Sequence, residues 1–376
     1  MASSAIDRRS NGRYRARYQD PNRRWRSRTF DRKVDAQRWL NDELTKVARG
    51  EWVDPRAGRI TFGVVAERWM ASRSSLREST KARDRSLLDS LILPRFANTA
   101  LVAIRPSDLE AFVADLTATG KAPATIRKVW QVVSGVFNLA IRDRLVALTP
   151  ARDVRLPKVE VDEPRALTVD EVMELAEAMD PRYRALVLVG AFGGLRLGEL
   201  AGLQVGDFDP LHRQLRVRRT VSDVRGHLIE GPPKTPKSMR TVTLPKAVVE
   251  ELTSHLGTRS EVAATDWIFP APEGGPIRRT GWVRRHWKPA LRAAGLDDDL
   301  GTHTLRHSHV ALLIAQGEHP KVIADRLGHT SVKTVLDVYG HLYEGADGDA
   351  ADRLDEQIAA YSRPDHVMGR VVDLRD

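Results

Sequence analysis

Gly194-Leu195-Arg196-Leu197-Gly198-Glu199-Leu200 is the first of five short motifs in the second half of the chain. The others are Lys234-Thr235, His303-Thr304-Leu305-Arg306, Leu327-Gly328-His329 and Tyr339. Each motif occurs by chance in many proteins, so none is informative alone. Together they supply two arginines, a lysine, two histidines and a phenol. These are the side chains with which a protein can attack a phosphodiester without a metal.

The two arginines have the properties of a phosphate clamp, because a planar guanidinium can donate two hydrogen bonds to one phosphate. Glu199 lies three residues after Arg196, and Arg306 lies three residues after His303. On a helix each pair shares a face. The first pair predicts a carboxylate that holds Arg196 or a neighbouring catalytic side chain in place. The second predicts an imidazole and a guanidinium directed at one ligand.

Lys234 is the candidate proton donor for the leaving oxygen. It lies at a predicted turn, just before a predicted strand at 240–244. A lysine on such a turn can reach a phosphate. Lys237 offers a second amine in the same segment, and both remain candidates.

Tyr339 is the candidate nucleophile, with Tyr343 as its rival. A phenol has a pKa near 10 and must lose its proton as it attacks, so neighbouring cations favour the reaction. His329 completes the candidate site. It follows Gly328, which permits a sharp helix end and a close backbone approach.

A metal site is not expected. His303, His307 and His309 lie close together in sequence and raise the possibility of zinc, but the glutamate of a His-Glu-x-x-His motif is missing. The chain also has no cysteine, which removes thiolate ligands and disulfides and suits a cytosolic protein. We expect no cofactor.

The charge distribution indicates a polyanionic partner. The chain of 376 residues has a formal net charge of +10. Residues 1–56 hold 15 Lys and Arg against 8 Asp and Glu, whereas residues 344–376 hold 4 against 9. The basic N-terminal segment favours binding to nucleic acid, and the acidic C-terminal segment favours contact with a protein. No apolar run is long enough for a membrane helix or a signal peptide, so we expect no membrane contact and a cytoplasmic location.

The pattern predicts three folded blocks and a tail. Residues 13–18 and 24–30 alternate as a hairpin with one arginine-rich face, followed by a helix from about 33 to 48. Residues 54–58 read as a linker. The candidate DNA-binding residues of this first block are Arg13, Arg15, Arg17, Arg24, Arg26 and Arg28.

The second block, 61–155, has the periodicity of four helices, with proline or Ser/Thr at helix starts. Its candidate DNA-binding residues are Lys81, Arg127 and Lys128. The third block begins with a capping signal at 167–172 and is mainly helical, with a strand pair at about 213–220 and 239–244. The predicted fold class is therefore multidomain and mainly α with small β elements.

The five motifs resemble those of the tyrosine recombinase (phage integrase) family. The resemblance implies an arm-type DNA-binding domain at 1–56, a helical core-binding domain at 61–155, a mixed α/β catalytic domain at 165–345 and an inter-protomer tail at 346–376. It implies that Tyr339 forms a 3′-phosphotyrosine intermediate and that the recombination reaction passes through a Holliday junction. The implied phosphate ligands are Arg196, Arg306, His303 and His329, with Lys234 as the general acid and Glu199 as a supporting residue.

The family also implies attachment-site DNA of core and arm types, a homotetramer on DNA, and a bacterial host cytoplasm. Such integrases often recruit a host DNA-bending protein and a directionality factor. Two alternatives remain open. One is a type IB-like topoisomerase, against which the separate basic first block argues. The other is a non-catalytic DNA-binding or architectural protein, which would not need Tyr339.

Overall fold

The computed structural model describes residues 3–49, 52–54, 56–159, 163–343 and 346–361. The chain divides into two compact units, 1–161 and 162–376. Within the described ranges no helix is both long and apolar enough to cross a membrane.

The first unit opens with a three-stranded antiparallel sheet in the order β1-β2-β3, covered by one helix. These elements are β1 (Ser4–Arg8), β2 (Tyr14–Gln19), β3 (Trp25–Phe30) and α1 (Lys33–Ala48). The predicted hairpin and helix are confirmed, whereas β1 was not predicted. Tyr18 joins the layers, because its hydroxyl donates to Glu43 at 2.8 Å and accepts from Trp52 Nε1 at 2.7 Å.

The prediction of a single arginine-rich face on this hairpin is wrong. Strand pairing sets Arg26 opposite Tyr18, which is buried, so both point towards the helix. Arg15 and Arg17 have the opposite parity and point away from it. Alternation along a single strand shows which of its residues share a face, but it does not relate that face to the neighbouring strand. The register of β2 and β3 puts their arginines on opposite faces of the sheet.

Arg26 is also engaged within the protein. Its guanidinium pairs with Asp20 at 2.9 Å and with Asp54 at 2.6 Å, and it lies over the ring of Trp52. Residues 52–54 therefore belong to this small domain. The predicted linker is also folded at its other end, where a side chain at Gly58 would come within 2.1 Å of Val102.

The rest of the first unit is a four-helix bundle, as predicted. Its helices are α2 (Phe62–Ala71), α3 (Glu78–Leu87), which runs through a π-helical turn (Leu88–Ile92) into α4 (Leu93–Phe96), α5 (Pro106–Ala118) and α6 (Pro123–Arg142). Two 3-10 turns, Ala57–Arg59 and Leu101–Ala103, precede α2 and α5. Pro106 and Pro123 each occupy the first turn of a helix, where their missing N–H costs nothing.

The second unit is mixed α/β. Its helices are α7 (Val169–Ala178), α8 (Pro181–Gly193), α9 (Leu197–Leu200), α10 (Lys246–Gly257), α11 (Arg279–Trp282), α12 (Lys288–Ala293), α13 (Thr304–Ala315), α14 (Pro320–Leu327), α15 (Lys333–Tyr339) and α16 (Ala346–Tyr361). Its strands are β4 (Phe208–Asp209), β5 (Gln214–Val217), β6 (Thr220–Val224), β7 (His227–Gly231) and β8 (Arg240–Thr243).

The predicted pairing of β5 with β8 is confirmed within a sheet of order β4-β5-β8. The β6-β7 hairpin was not predicted. The capping signal is confirmed: Thr168 and Glu171 exchange two hydrogen bonds at the start of α7. Helix α8 is buried along almost its whole length, and it packs against α7, α10 and α13. The last residues of α8 consequently position the segment that carries Arg196.

Candidate active site

Two glycines bring separate parts of the second unit together. Gly194 ends α8 and Gly328 ends α14, each with φ of +68°. A side chain at Gly194 would lie 2.5 Å from the ring of His309, and one at Gly328 would lie 2.9 Å from the carbonyl oxygen of Lys237. Both positions therefore require glycine, for the left-handed backbone and for the close approach. The sharp helix end predicted at Gly328 is confirmed.

Arg306 lies at the centre of the site. It is 3% exposed, and its guanidinium donates to the carbonyl oxygens of Gly194 at 2.7 Å and Leu327 at 2.8 Å. The same group lies 2.8 Å from His329 Nε2. The Arg306 side chain thus connects the ends of α8 and α14. It also contacts His329, which belongs to another of the predicted motifs.

Glu199 holds two arginines. Its Oε1 accepts from the guanidinium of Arg196 at 2.9 Å, and its Oε2 accepts from Arg240 at 3.0 Å. Glu199 is 3% exposed, and burial alone would raise its pKa, but Arg240 and Arg196 outweigh that effect and lower the pKa. The carboxylate predicted to support Arg196 lies where it can do so.

Arg240 was missed by the sequence analysis. It lies on β8 and also donates to the carbonyl oxygen of Arg326 at 2.7 Å. In the sequence it is one basic residue of a predicted strand, and no spacing relates it to Glu199, which lies 41 residues earlier.

Neutral histidines surround the arginines. Burial, together with His307 and Arg306, lowers the pKa of His303 to about 4, and burial with the two clamp arginines lowers that of His329 to about 4. Burial and Arg196 lower the pKa of Arg306 to about 9, so it remains a cation at neutral pH. The site contains more cationic than anionic groups, which is the electrostatic condition for binding a phosphate.

Tyr339 lies beside this cluster. Its side chain is 6% exposed and belongs to a buried apolar cluster that includes Val310, Ile314 and Val335. Its hydroxyl is 2.5 Å from His307 Nδ1. Burial raises the pKa of Tyr339 to about 12, against the opposing effect of Arg306. The hydroxyl of the rival Tyr343 is also buried, and it has no hydrogen-bond partner among the residues the structure describes.

The two lysines lie on the segment between β7 and β8, and both are exposed. The Lys234 amine makes no hydrogen bond or ion pair to a described residue. The segment itself is tied down behind them, because Ser238 is buried, bonds to Thr235 at 2.9 Å and approaches the carbonyl oxygen of Gly328. Five of the six candidate catalytic residues therefore lie together around Arg306, and Lys234 extends from an adjacent turn.

The candidate DNA-binding arginines differ in how far they are engaged. Arg13 pairs with Asp31, and both Arg15 and Arg17 pair with Asp7 on the face away from α1. Arg24 and Arg28 are exposed. Arg26 is engaged by two carboxylates within the small domain, and its DNA contact stays a prediction.

In the helical bundle, Lys81 pairs with Glu78, Arg127 donates to the carbonyl oxygen of Pro157, and Lys128 is exposed. None of these contacts buries the cation, so all three stay available to a phosphate. Among the described residues, no group of three or more His, Asp or Glu side chains is arranged to hold a metal.

Three family models match successive parts of the chain. They are the phage integrase N-terminal domain at residues 4–49, the phage integrase central domain at 62–156 and the phage integrase family at 165–345. The chain is 31% identical to a putative prophage phiRv2 integrase of Mycobacterium tuberculosis, over 91% of this chain and 92% of that protein.

The tyrosine recombinase XerD of Mycobacterium leprae is 31% identical over 70% of this chain and 82% of its own length. Among solved structures, a lambda integrase tetramer bound to a Holliday junction matches with a TM-score of 0.56 and 21% identity, over 87% of this chain and 92% of that one. The structural match supports the fold.

The shared carboxylate predicts a specific stability change. Replacing Glu199 with glutamine should lower the free energy of unfolding at pH 7 by about 3 kcal/mol, because Arg240 loses a buried partner. The folded-state pKa of Glu199 is below its ordinary value, so this stabilisation is present above about pH 4.5 and is lost as the pH falls through the folded-state pKa. Urea unfolding of both proteins across that range measures it.

Glu177→Gln is the matched control, because Glu177 pairs with Arg184 but is 67% exposed. We expect it to change stability by less than about 1 kcal/mol. Equal losses in the two variants would show that Glu199 contributes no more than a surface ion pair.

Proposed function

This chain belongs to the phage integrase family and is a tyrosine-type site-specific DNA recombinase, and we propose that Tyr339 is the residue with which it cuts and rejoins DNA. The observation that supports this assignment most strongly is the position of the Tyr339 hydroxyl beside the α13 motif that supplies Arg306. Recombination is favoured over both alternatives, since the relatives named above are integrases and recombinases rather than topoisomerases or architectural proteins.

The proposed reaction begins with the scissile phosphate bound by Arg196, Arg306, His303 and His329. The Tyr339 oxygen attacks phosphorus, the bond from phosphorus to the 5′ oxygen breaks, and Lys234 protonates that oxygen. The products are a 3′-phosphotyrosine and a free 5′-hydroxyl. Because the phosphotyrosine conserves the bond energy, neither ATP nor a metal is needed for rejoining. Attack by the 5′-hydroxyl of a second strand gives a Holliday junction, and a second round gives recombinants that integrate or excise a mobile element.

The arginines define where charge is stabilised in this scheme. Arg306 donates hydrogen bonds to the carbonyl oxygens of Gly194 and Leu327, and these bonds fix the plane of its guanidinium. Arg196 is fixed by Glu199. Preorganised donors of this kind stabilise developing negative charge without reorganisation, and the loss of one costs on the order of a hundredfold in rate.

We assign DNA contacts to each block. Residues 1–56 would bind arm-type sites through Arg13, Arg15, Arg17, Arg24 and Arg28. Residues 61–155 would bind core sites with Lys81, Arg127 and Lys128, and 165–345 would carry out catalysis. The lambda integrase tetramer on a Holliday junction supports a homotetramer here. We further propose a host DNA-bending protein and a directionality factor as partners, in a bacterial cytoplasm.

The assignment of Tyr339 predicts a covalent adduct that depends on one oxygen atom. Duplexes tiled across the DNA that flanks the gene would be incubated with protein, EDTA and no ATP, then denatured. Wild type and Tyr343→Phe should both form a denaturation-resistant adduct, whereas Tyr339→Phe should form none and keep its DNA affinity. An adduct that survives Tyr339→Phe and disappears in Tyr343→Phe would reverse the assignment.

The assignment of Lys234 predicts chemical rescue by a better leaving group. With ordinary DNA, Lys234→Ala should cleave at least about a hundredfold more slowly, the usual contribution of a general acid. Sulfur in place of the scissile 5′ oxygen makes a leaving group that needs no proton, so cleavage by Lys234→Ala should recover. Lys237→Ala is the comparison, since it shares the same turn. Rescue of Lys237→Ala instead would transfer the role to Lys237.

The C-terminal segment predicts a defect in assembly. Helix α16 carries the exposed apolar residues Leu354 and Ile358, and we propose that it docks on a neighbouring protomer. The residues beyond 361 lie outside the described ranges. Deleting residues 346–376 should reduce the fraction of DNA in multimeric complexes on native gels, while the affinity of single protomers for a half-site changes little. Unchanged synapsis would contradict this contact.

A further inference from the structure

The mechanism proposed above leaves His307 without a role. This histidine follows Arg306 directly, and its place in the sequence suggests no role beyond that of a zinc ligand, which is not expected. Its Nδ1 lies 2.5 Å from the Tyr339 hydroxyl. Its ring also meets that of His303 edge-on, with centroids 5.5 Å apart. His307 therefore touches the atom that attacks the phosphate.

We propose that His307 is a catalytic residue that accepts the phenolic proton of Tyr339 during cleavage and returns it during rejoining. This inference rests on the proposed function, since it assigns a proton path to the same nucleophile. It adds a residue to the clamp, the acid and the nucleophile already named.

The other polar groups near Tyr339 are less suited to accept its proton. His303 is also neutral, but its ring lies against that of His307 and it makes no hydrogen bond to Tyr339 in the described structure. Arg196 and Arg306 are cations with no lone pair to offer. Lys234 must carry a proton to serve as the acid. The Nε2 atom of His329 already faces the guanidinium of Arg306. Of the residues that the structure describes, His307 is the one whose side chain forms a hydrogen bond with the Tyr339 hydroxyl.

The protonation state of His307 suits an acceptor. Burial, followed by the charge of Arg306, lowers the pKa of His307 below its ordinary value. The ring is thus neutral at pH 7, and one of its nitrogens has a free lone pair. The buried Tyr339, in contrast, retains its proton. A neutral base beside a protonated phenol is the arrangement that proton transfer requires before attack.

The contact is also held in place by the fold. Tyr339 belongs to the same buried apolar cluster as Val310 and Ile314 of α13, the helix that carries His307. His307 itself continues the helix, with its N–H donating to the carbonyl oxygen of His303 at 3.0 Å. The nucleophile and its base are therefore positioned by the same helix that carries Arg306.

The protons balance in both directions. During cleavage, the bond from the Tyr339 oxygen to phosphorus forms, the bond from phosphorus to the 5′ oxygen breaks, the phenolic proton moves to His307 Nδ1, and Lys234 supplies a proton to the leaving oxygen. During rejoining, a 5′-hydroxyl gives its proton to Lys234 and attacks phosphorus, and protonated His307 returns a proton to the departing Tyr339 oxygen.

The test measures single-turnover cleavage of the DNA that wild type traps in the adduct assay. We expect His307→Asn to cleave at least about a hundredfold more slowly, the usual contribution of a general base. The same variant carrying 3-fluorotyrosine at position 339 should recover much of that loss, because its phenol is more acidic and gives up its proton more readily. His319→Asn is the matched control, since His319 is an exposed histidine that caps α14 in the same unit.

A sulfur leaving group distinguishes the role of His307 as the base from that of Lys234 as the acid. It should rescue Lys234→Ala and leave His307→Asn slow, because it replaces the proton that Lys234 supplies and not the one that His307 accepts. DNA affinity and thermal unfolding of each variant would be measured alongside. If His307→Asn does not fold, His307→Gln takes its place.

Each outcome has one meaning. If wild type forms no adduct on any flanking duplex, the proposed function fails before His307 is tested. If wild type cleaves and His307→Asn cleaves equally fast, the inference is overturned. A slow His307→Asn that 3-fluorotyrosine does not rescue would also overturn it, because His307 would then only position Tyr339.

Discussion

The buried guanidinium of Arg306 is the group on which the geometry of the site depends. It reaches the main chain at Gly194 and at Leu327, positions that lie 112 residues before it and 21 residues after it. A cation that is 3% exposed is costly unless its donors are occupied, and here carbonyl oxygens from two helix ends occupy them. The ends of α8 and α14 are therefore held together by a hydrogen-bonded cation within the protein.

The site has an excess of positive charge. Arg196 and Arg240 share one buried carboxylate, Glu199, whereas Arg306 is held by main-chain carbonyl oxygens, and the histidines around them are neutral. The arginines therefore repel one another, and the phosphate of the proposed reaction would offset that repulsion.

Features set by local chemistry could be predicted from the sequence. The prolines that open α5 and α6, the capping pair Thr168 and Glu171, and the sharp turn at Gly328 all depend on residues close by in the chain. The motif residues around Arg306 could be predicted because their family resemblance carries long-range information. Those expectations describe the second unit well, while the roles of its side chains remain proposals.

Features set by pairing could not be predicted in the same way. The β6-β7 hairpin turns at Arg225-Gly226, both with positive φ, where asparagine would be the usual first residue. The arginines of β2 and β3 could be assigned to faces only once the register placed Arg26 opposite Tyr18. The contacts of His307 and Arg240 depend on helices and strands that are distant in sequence.

The ion pair between Arg26 and Asp54 limits the length of the linker between the small sheet domain and the helical bundle. Asp54 belongs to the small sheet domain and Gly58 packs against the bundle, so only three residues, 55–57, join them, and the four steps from 54 to 58 span at most about 14 Å. A tether this short makes the second of two binding events intramolecular. In the proposed complex, DNA bound by the sheet domain would therefore favour binding of the bundle only to DNA that lies within the linker length plus the dimensions of the two domains.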